Sequence, residues 1–184
     1  MRWILAGAAT ALAAACITIQ VPPPAPHPGT NGGSAGSSPP PAAEVPVTYS
    51  GPGSGRRAVE EMVALVNAHR RSARCPELVW MQTVANAAQG HADDMARRDY
   101  FAHQTPEGLG PTDRLRAHGV SYRAMGENIA QHPGTARDVM NGWLASPGHR
   151  QNLERCGYTH HGIGLREGYW THLFITPLPP PPGS

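Results

Sequence analysis

From Ile17 to Gly55, 22 of 39 residues are proline, glycine or serine, in runs such as PPPAPHP, GGSAGSSPPP and SGPGSG. A stretch of this kind offers too little apolar surface to offset the entropy lost on ordering, so it reads as a spacer without a core of its own. The folding problem is thereby confined to the residues beyond Gly55. The chain closes on a second extended run, PLPPPPGS, which leaves one candidate domain at residues 57–177, with 16–56 as linker and 178–184 as tail. His27 falls in the linker and reads as a solvated bystander. An interval of this size supports a single hydrophobic core.

Ahead of the spacer, MRWILAGAATALAAA combines one positive charge, an apolar run too short for a bilayer and the small-residue pattern Ala13-x-Ala15. Residues 1–15 therefore read as an export signal. Cys16 follows directly and is a candidate for acylation, although Leu12 lies one place further upstream than a lipoprotein box prefers; the other reading is a free cysteine in a flexible tail. The expected location is secreted or attached to the cell envelope. All 15 basic residues are arginine, which excludes lysine nucleophile and Schiff-base chemistry. A net charge of +2 without a basic run leaves no footprint for nucleic acid or for an anionic membrane, so membrane contact is expected only through an anchor at Cys16.

Within the domain, AVEEMVALVNAHR places Val59, Met62, Val63 and Val66 at helical spacing, with Glu60, Glu61 and Arg70 toward water. After Cys75-Pro76, TVANAAQGHADDMARR repeats the pattern through Val84, Ala88, Ala92 and Met95 and ends in arginines that suit a helix C-terminus. His91, near that apolar stripe, reads as a satisfied core histidine rather than a ligand. Thr135-x-x-Asp138 opens a third helix with a capping box, with Val139 and Trp143 on one face. Three extended runs come later: VSYRAMGENIA, YTHHGIGLR and YWTHLFIT. The last two are joined at Glu167-Gly168, which suits a tight hairpin. Helices around three antiparallel strands predict an α+β layered sandwich.

Apart from Cys16, an exported domain holds two cysteines, Cys75 and Cys156, and an oxidising compartment favours their pairing. Closing a loop of that length stabilises a fold by about 4 to 5 kcal/mol in the chain-entropy model. The bridge would tie the end of the first helix to the chain just beyond SPGHRQNL, a segment with its own puzzle. Ser146 and Pro147 are good starting material for a helix, since serine accepts N–H bonds and proline tolerates the first position. The fourth residue is nevertheless a titratable imidazole, His149.

Four segments in order resolve the puzzle. HADDMARRDYFAHQTPEG, MGENIA, GWLASPGHRQNL and YWTHLFI, spread over Ala58 to Thr176, resemble the bacterial SCP-like branch of the CAP superfamily, the cysteine-rich secretory, antigen 5 and pathogenesis-related proteins. The resemblance implies a three-layer α-β-α sandwich with a small antiparallel sheet. It also implies a central cavity lined by two histidines and two acidic residues, carried here by His103, Glu127 and His149. The fourth position departs: where relatives place glutamate three residues after the tryptophan of the third helix, Trp143 is followed by Ser146. Glu107 is a substitute from the nearby loop or, more simply, a solvated turn residue. His172 departs as well, standing where relatives commonly have glutamine, and reads as a packed strand residue more than a cavity group.

Two imidazoles near one carboxylate suit zinc, held by His103 and His149, and equally suit acid/base catalysis by His103, Glu127 and His149. Residue types alone do not decide between them. No Gly-x-Ser-x-Gly elbow is present and both domain cysteines are expected to be oxidised, so no serine or cysteine nucleophile is indicated. Three functions stay open: a non-catalytic binding module for a lipid-like small molecule, an envelope component or a partner protein; a metal-dependent hydrolase or peptidase; and a structural envelope module.

Overall fold

The computed structural model describes residue 51 and residues 55–179; the export signal, Cys16, most of the linker and the end of the tail lie outside the described residues. The elements run α1 (Arg56–Ser72), β1 (Val79–Trp80), α2 (Gln82–Arg98), α3 (Pro111–Ala117), β2 (Tyr122–Gln131), α4 (Ala136–Ala145), α5 (Pro147–Glu154), β3 (His160–Arg166) and β4 (Tyr169–Pro177). The strands form one sheet in the order β1-β3-β4-β2. Three of them are antiparallel neighbours, as their alternation predicts. The fourth is a correction: β1 pairs parallel with β3 through Val79 opposite His160 and Trp80 opposite His161, so the sheet is mixed. Two residues are too few to leave a period-2 pattern.

Strand alternation divides the core between two helical layers. On one face, Trp170, Phe174 and Ile163 pack with Val59, Met62 and Val66 of α1, Met140 and Trp143 of α4 and Leu153 of α5. On the other, Leu173 and Ile175 pack with Val84 and Ala88 of α2 and Leu115 of α3. The result is the expected three-layer sandwich. α2 can approach β3 because Gly162 and Gly164 present no side chain to it: a Cβ on Gly162 would lie 2.1 Å from the Ala85 nitrogen, and one on Gly164 2.4 Å from the Gln89 Cα. The buried Gln89 amide then bonds both the N–H and the C=O of Leu165, each at 3.0 Å. At the β3–β4 hairpin, Glu167 and Gly168 have φ of +49° and +84°, the twist that a two-residue turn needs.

Thr135 and Asp138 form the expected box at the start of α4: the threonine hydroxyl accepts from the Asp138 N–H at 3.3 Å, and the aspartate accepts from the Thr135 N–H at 2.9 Å. Ser146 and Pro147 open α5 as expected, but the serine side chain makes no capping bond. Ser146 terminates α4 and starts α5 at once, and its N–H is used by Trp143 O at 3.2 Å.

Arg70 overturns its sequence reading. Instead of facing water it is fully buried, where Nε donates to Pro76 O (2.8 Å), Nη1 to Leu153 O (2.9 Å) and Arg155 O (3.1 Å), and Nη2 to Tyr158 O (3.0 Å). The last turn of α5 and the irregular chain around the Cys75–Cys156 disulfide leave these carbonyls without ladder partners, and one guanidinium supplies donors in a rigid fork. The disulfide itself forms as expected, with Cα atoms 4.8 Å apart across 81 positions.

Candidate functional site

Gly126-Glu127-Asn128 lies on β2, at the free edge of the sheet, and each of its three residues does something different. Glycine leaves room: a Cβ on Gly126 would meet Tyr158 Oη at 2.6 Å and Asn152 Oδ1 at 2.7 Å. Asn128, fully buried on the α5 side, donates to His149 O at 3.0 Å and accepts from Asn152 Nδ2 at 2.8 Å. Tyr158 adds a bond to Met125 O at 2.7 Å. The strand thereby fixes the helix that carries His149. Glu127, pointing to the opposite face because strand side chains alternate, enters a polar cluster.

The Glu127 side chain is only 3% exposed, and both of its oxygens are engaged: Oε1 with His103 Nδ1 at 2.8 Å and Oε2 with Arg114 Nη2 at 2.6 Å. Arg114 is the residue sequence reasoning missed. Its Nη1 also donates to His103 O at 3.1 Å and Leu109 O at 3.3 Å, so one guanidinium holds both the carboxylate and the loop that carries the histidine. α3 presents it, starting at Gly110, whose N–H is accepted by Asp113 Oδ2 at 2.9 Å. The available signal was an arginine in a short Pro-initiated helix just after the histidine loop, and only the fold shows where it reaches.

The His103 ring is 51% exposed, and with Nδ1 turned to Glu127 its other nitrogen remains for solvent or a ligand. His149 is half-buried on α5; burial first, and then the charge of nearby His103, lower its pKa. No hydrogen bond joins the His149 ring to His103 or Glu127 among the described residues. Ser146 makes no hydrogen bond to His103, Glu127 or His149 among the described residues. Glu107 is held elsewhere: Arg98 engages both its oxygens and pushes the carboxyl down to about 2. It does not replace the missing acidic group.

His91 is the satisfied core histidine its spacing predicts. Its Nε2 bonds Ala102 O at 2.9 Å, fixing the backbone beside His103, and burial followed by the charge of Arg114 lowers its pKa. Beneath the 101–110 loop lies a cavity of about 320 Å³, bounded by Ala87, Gly90, His91, Asp94 and Arg98 of α2, Glu107 and Leu109 of the loop, and Arg114. His172 packs in the core, with its ring 3.8 Å from that of Phe174 and Nε2 3.0 Å from His161 Nδ1. Burial foremost lowers both pKa values, that of His161 to about 3, so this pair is neutral.

A zinc centre needs three or more protein ligands, two imidazoles and a carboxylate among the sets that serve. Among the described residues no group of three His, Cys, Asp or Glu side chains is placed to hold a metal ion, and His103, Glu127 and His149 do not close into one. The residues present do not fit such a centre.

A disulfide-stapled α-β-α sandwich with a histidine–glutamate cluster at the open edge of its sheet is the architecture of a CAP domain. The chain belongs to the cysteine-rich secretory protein family, whose model matches residues 63–173. It is 34% identical over 144 residues to the uncharacterized protein YkwD of Bacillus subtilis (strain 168), covering 77% of this chain and 56% of that one. It is 35% identical over 116 residues to the uncharacterized membrane protein YlbC of the same organism, covering 63% of this chain and 34% of the other. It thus spans little more than half of one relative and a third of the other. Among solved structures, an extracellular protein containing an SCP domain from Bacillus anthracis matches with a TM-score of 0.64 and 34% identity, over 66% of this chain and 41% of that one.

Proposed function

We propose that the chain is an exported, non-catalytic binding module that receives a lipid-like small molecule at the cluster and cavity beneath the 101–110 loop. An envelope component or a partner protein presenting such a group is the natural source of that ligand. The observation that carries this reading is the commitment of Glu127, whose oxygens are both taken, by His103 and by Arg114. A carboxylate held by a guanidinium on one oxygen and an imidazole on the other fixes the positions of both groups, which is what an anchor in a binding site does. The adjoining cavity sets Ala87, Gly90 and Leu109 against Arg114 and against Arg98 with its carboxylate partners Asp94 and Glu107, a mixed apolar and polar lining that suits an amphiphile. Export is supported by the N-terminal signal pattern and by the likeness to a Bacillus anthracis protein described as extracellular. Attachment through an acylated Cys16 is the envelope-bound form of the same proposal, and no described helix is long and apolar enough to cross a membrane.

The second reading, a metal-dependent hydrolase or peptidase using His103, Glu127 and His149, runs against that incomplete ligand set and is carried by one observation. A carboxylate on His103 Nδ1 turns the other nitrogen outward, as carboxylates do for metal-bound imidazoles, and His149 stands nearby with a lowered pKa. Thermal unfolding of the purified chain with Zn²⁺, and separately with a panel of lipids, tests both, because a ligand selective for the native state raises the melting temperature. The binding-module reading expects a lipid to raise it. A zinc shift present in His118→Ala and absent in His149→Ala favours the hydrolase instead. No shift with any lipid or with zinc leaves a purely structural module and overturns both.

A further inference from the structure

The cavity beneath the 101–110 loop is walled by α2 on one side, through Ala87, His91 and Arg98, and by Thr105, Glu107 and Leu109 of the loop on another. Arg98 and Glu107 meet across it. Arg98 Nη1 donates to Glu107 Oε2 at 3.0 Å and Nη2 donates to Oε1, so a bidentate pair joins the two walls. Both side chains stay in contact with water, the arginine 34% exposed and the glutamate 57%.

Little else holds the tip of the loop. The Thr105 N–H donates to Leu109 O at 3.0 Å and the Gly108 N–H to Thr105 O at 2.8 Å, with Gly108 at φ +85°, so residues 105–109 close on themselves as a turn. None of residues 104–109 is buried. Arg114 fixes the neck of the turn at Leu109 O, whereas the Arg98–Glu107 pair is the one bond from residues 104–108 to α2 among the described residues. A segment with so few buried contacts opens readily, and an exposed ion pair biases that opening by about fivefold at most. Release also strands no charge. Arg98 keeps Asp94 Oδ2 at 3.4 Å on its own helix and the face of Tyr100, 5.8 Å from its guanidinium carbon, while Glu107 is left to the water that already reaches it.

We propose that the Arg98–Glu107 pair is a strap across the mouth of this cavity, fastened at rest and unfastened when a ligand enters or leaves. Its purpose rests on the lipid-like ligand proposed for the cavity, while its opening is a property of the chain alone. Because the pair refastens over the occupied cavity, its loss speeds entry and exit alike and leaves affinity unchanged.

A thiol placed in the cavity wall reads the strap without a ligand. Ala87 is 1% exposed, and in Ala87→Cys, combined with Cys16→Ser, the new cysteine is the one thiol outside the Cys75–Cys156 bridge. Its alkylation by iodoacetamide, a neutral reagent, is expected to run about two- to fivefold faster when Glu107→Gln is added, the factor an exposed pair supports. Added salt is expected to speed alkylation in the presence of Glu107 and not in Glu107→Gln, since salt screens an exposed pair. Ala136→Cys, at a fully buried position in the core on the other face of the sheet, reports global unfolding and is expected to react equally fast with Glu107 or glutamine. With a dansylated fatty acid as the ligand, entry and exit are each expected to accelerate by the factor seen at Ala87→Cys. Alkylation of Ala87→Cys that is indifferent to Glu107→Gln, or an acceleration matched at Ala136→Cys, overturns the strap. A fatty acid that fails to bind overturns the lipid reading alone, because the alkylation rates still decide the strap.

Discussion

Arg70 and Arg114 are both withdrawn from water, and they solve the same problem in different ways. Arg70 has only carbonyls, those of Pro76, Leu153, Arg155 and Tyr158, and no carboxylate. Arg114 has the Glu127 carboxylate and two carbonyls of the histidine loop. Their histidine neighbours differ accordingly. Burial, reinforced by the field of Arg70, keeps His161 and His172 neutral, and the two share a single hydrogen between Nδ1 and Nε2. The outer nitrogen of each has no partner among the described residues. At the other site, the carboxylate that neutralises Arg114 also orients His103. A cation satisfied by dipoles makes a dry structural knot, whereas one satisfied by an acid can share that acid with a solvent-facing imidazole.

The strongest way to break this contrast is Arg70→Met, which keeps volume but strands four carbonyls near the disulfide. The expected loss is about 4 to 5 kcal/mol, since each buried group left without a partner is costly. Chemical denaturation should show it, and a loss below about 1 kcal/mol, the level of an ordinary surface substitution, would mean that the carbonyls find water. Arg114→Met is expected to cost less, about 2 to 4 kcal/mol, because Glu127 keeps His103 and can be hydrated at the sheet edge. Adding Glu127→Gln should restore much of that loss by removing the stranded charge. Additive losses in the double variant would show that the two residues do not act as a pair.

The smallest effect sharpens the comparison through pH. In the unfolded chain His161 and His172 take up protons below about 6.5, while in the folded core they do so only at much lower pH. Their contribution to stability is therefore fully present above about 6.5 and falls as pH drops below it, by about 1.4 kcal/mol per unit for each group. The decline continues toward the folded value of His161, about 3. His172→Gln removes one titrating group, so its stability should fall with acid by about 1.4 kcal/mol per unit less steeply than the parent. Parallel pH profiles for the two proteins would show that the pair does not set acid sensitivity. The variant comparison cancels His91, His149 and His160, whose pKa values burial also lowers.

Much of the fold was legible. The apolar stripes of α1 and α2, the box at Thr135, the hairpin at Glu167-Gly168 and the pairing of Cys75 with Cys156 all stand where the sequence places them. Of the site, His103 and Glu127 meet directly, His149 is tied to the same strand only through its backbone O and Asn128, and Ser146 and Glu107 stay apart from the cluster. β1 and α3 went unseen, the one too short for a period and the other lodged in what reads as a polar loop.

What the sequence determined by itself are features written in neighbouring residues: period, caps and turn chemistry. These depend on spacings of a few positions, which the chain carries openly. What only the tertiary structure decided is which polar groups meet across long separations. Glu127 lies 24 positions from His103 and 13 from Arg114, and Arg70 lies 83 from Leu153. Both arginines look alike in one dimension, each on a helix among other charges. Whether a guanidinium ends in water, on carbonyls or on a carboxylate depends on which acceptors the packed layers leave without partners, and that is fixed only when the layers close.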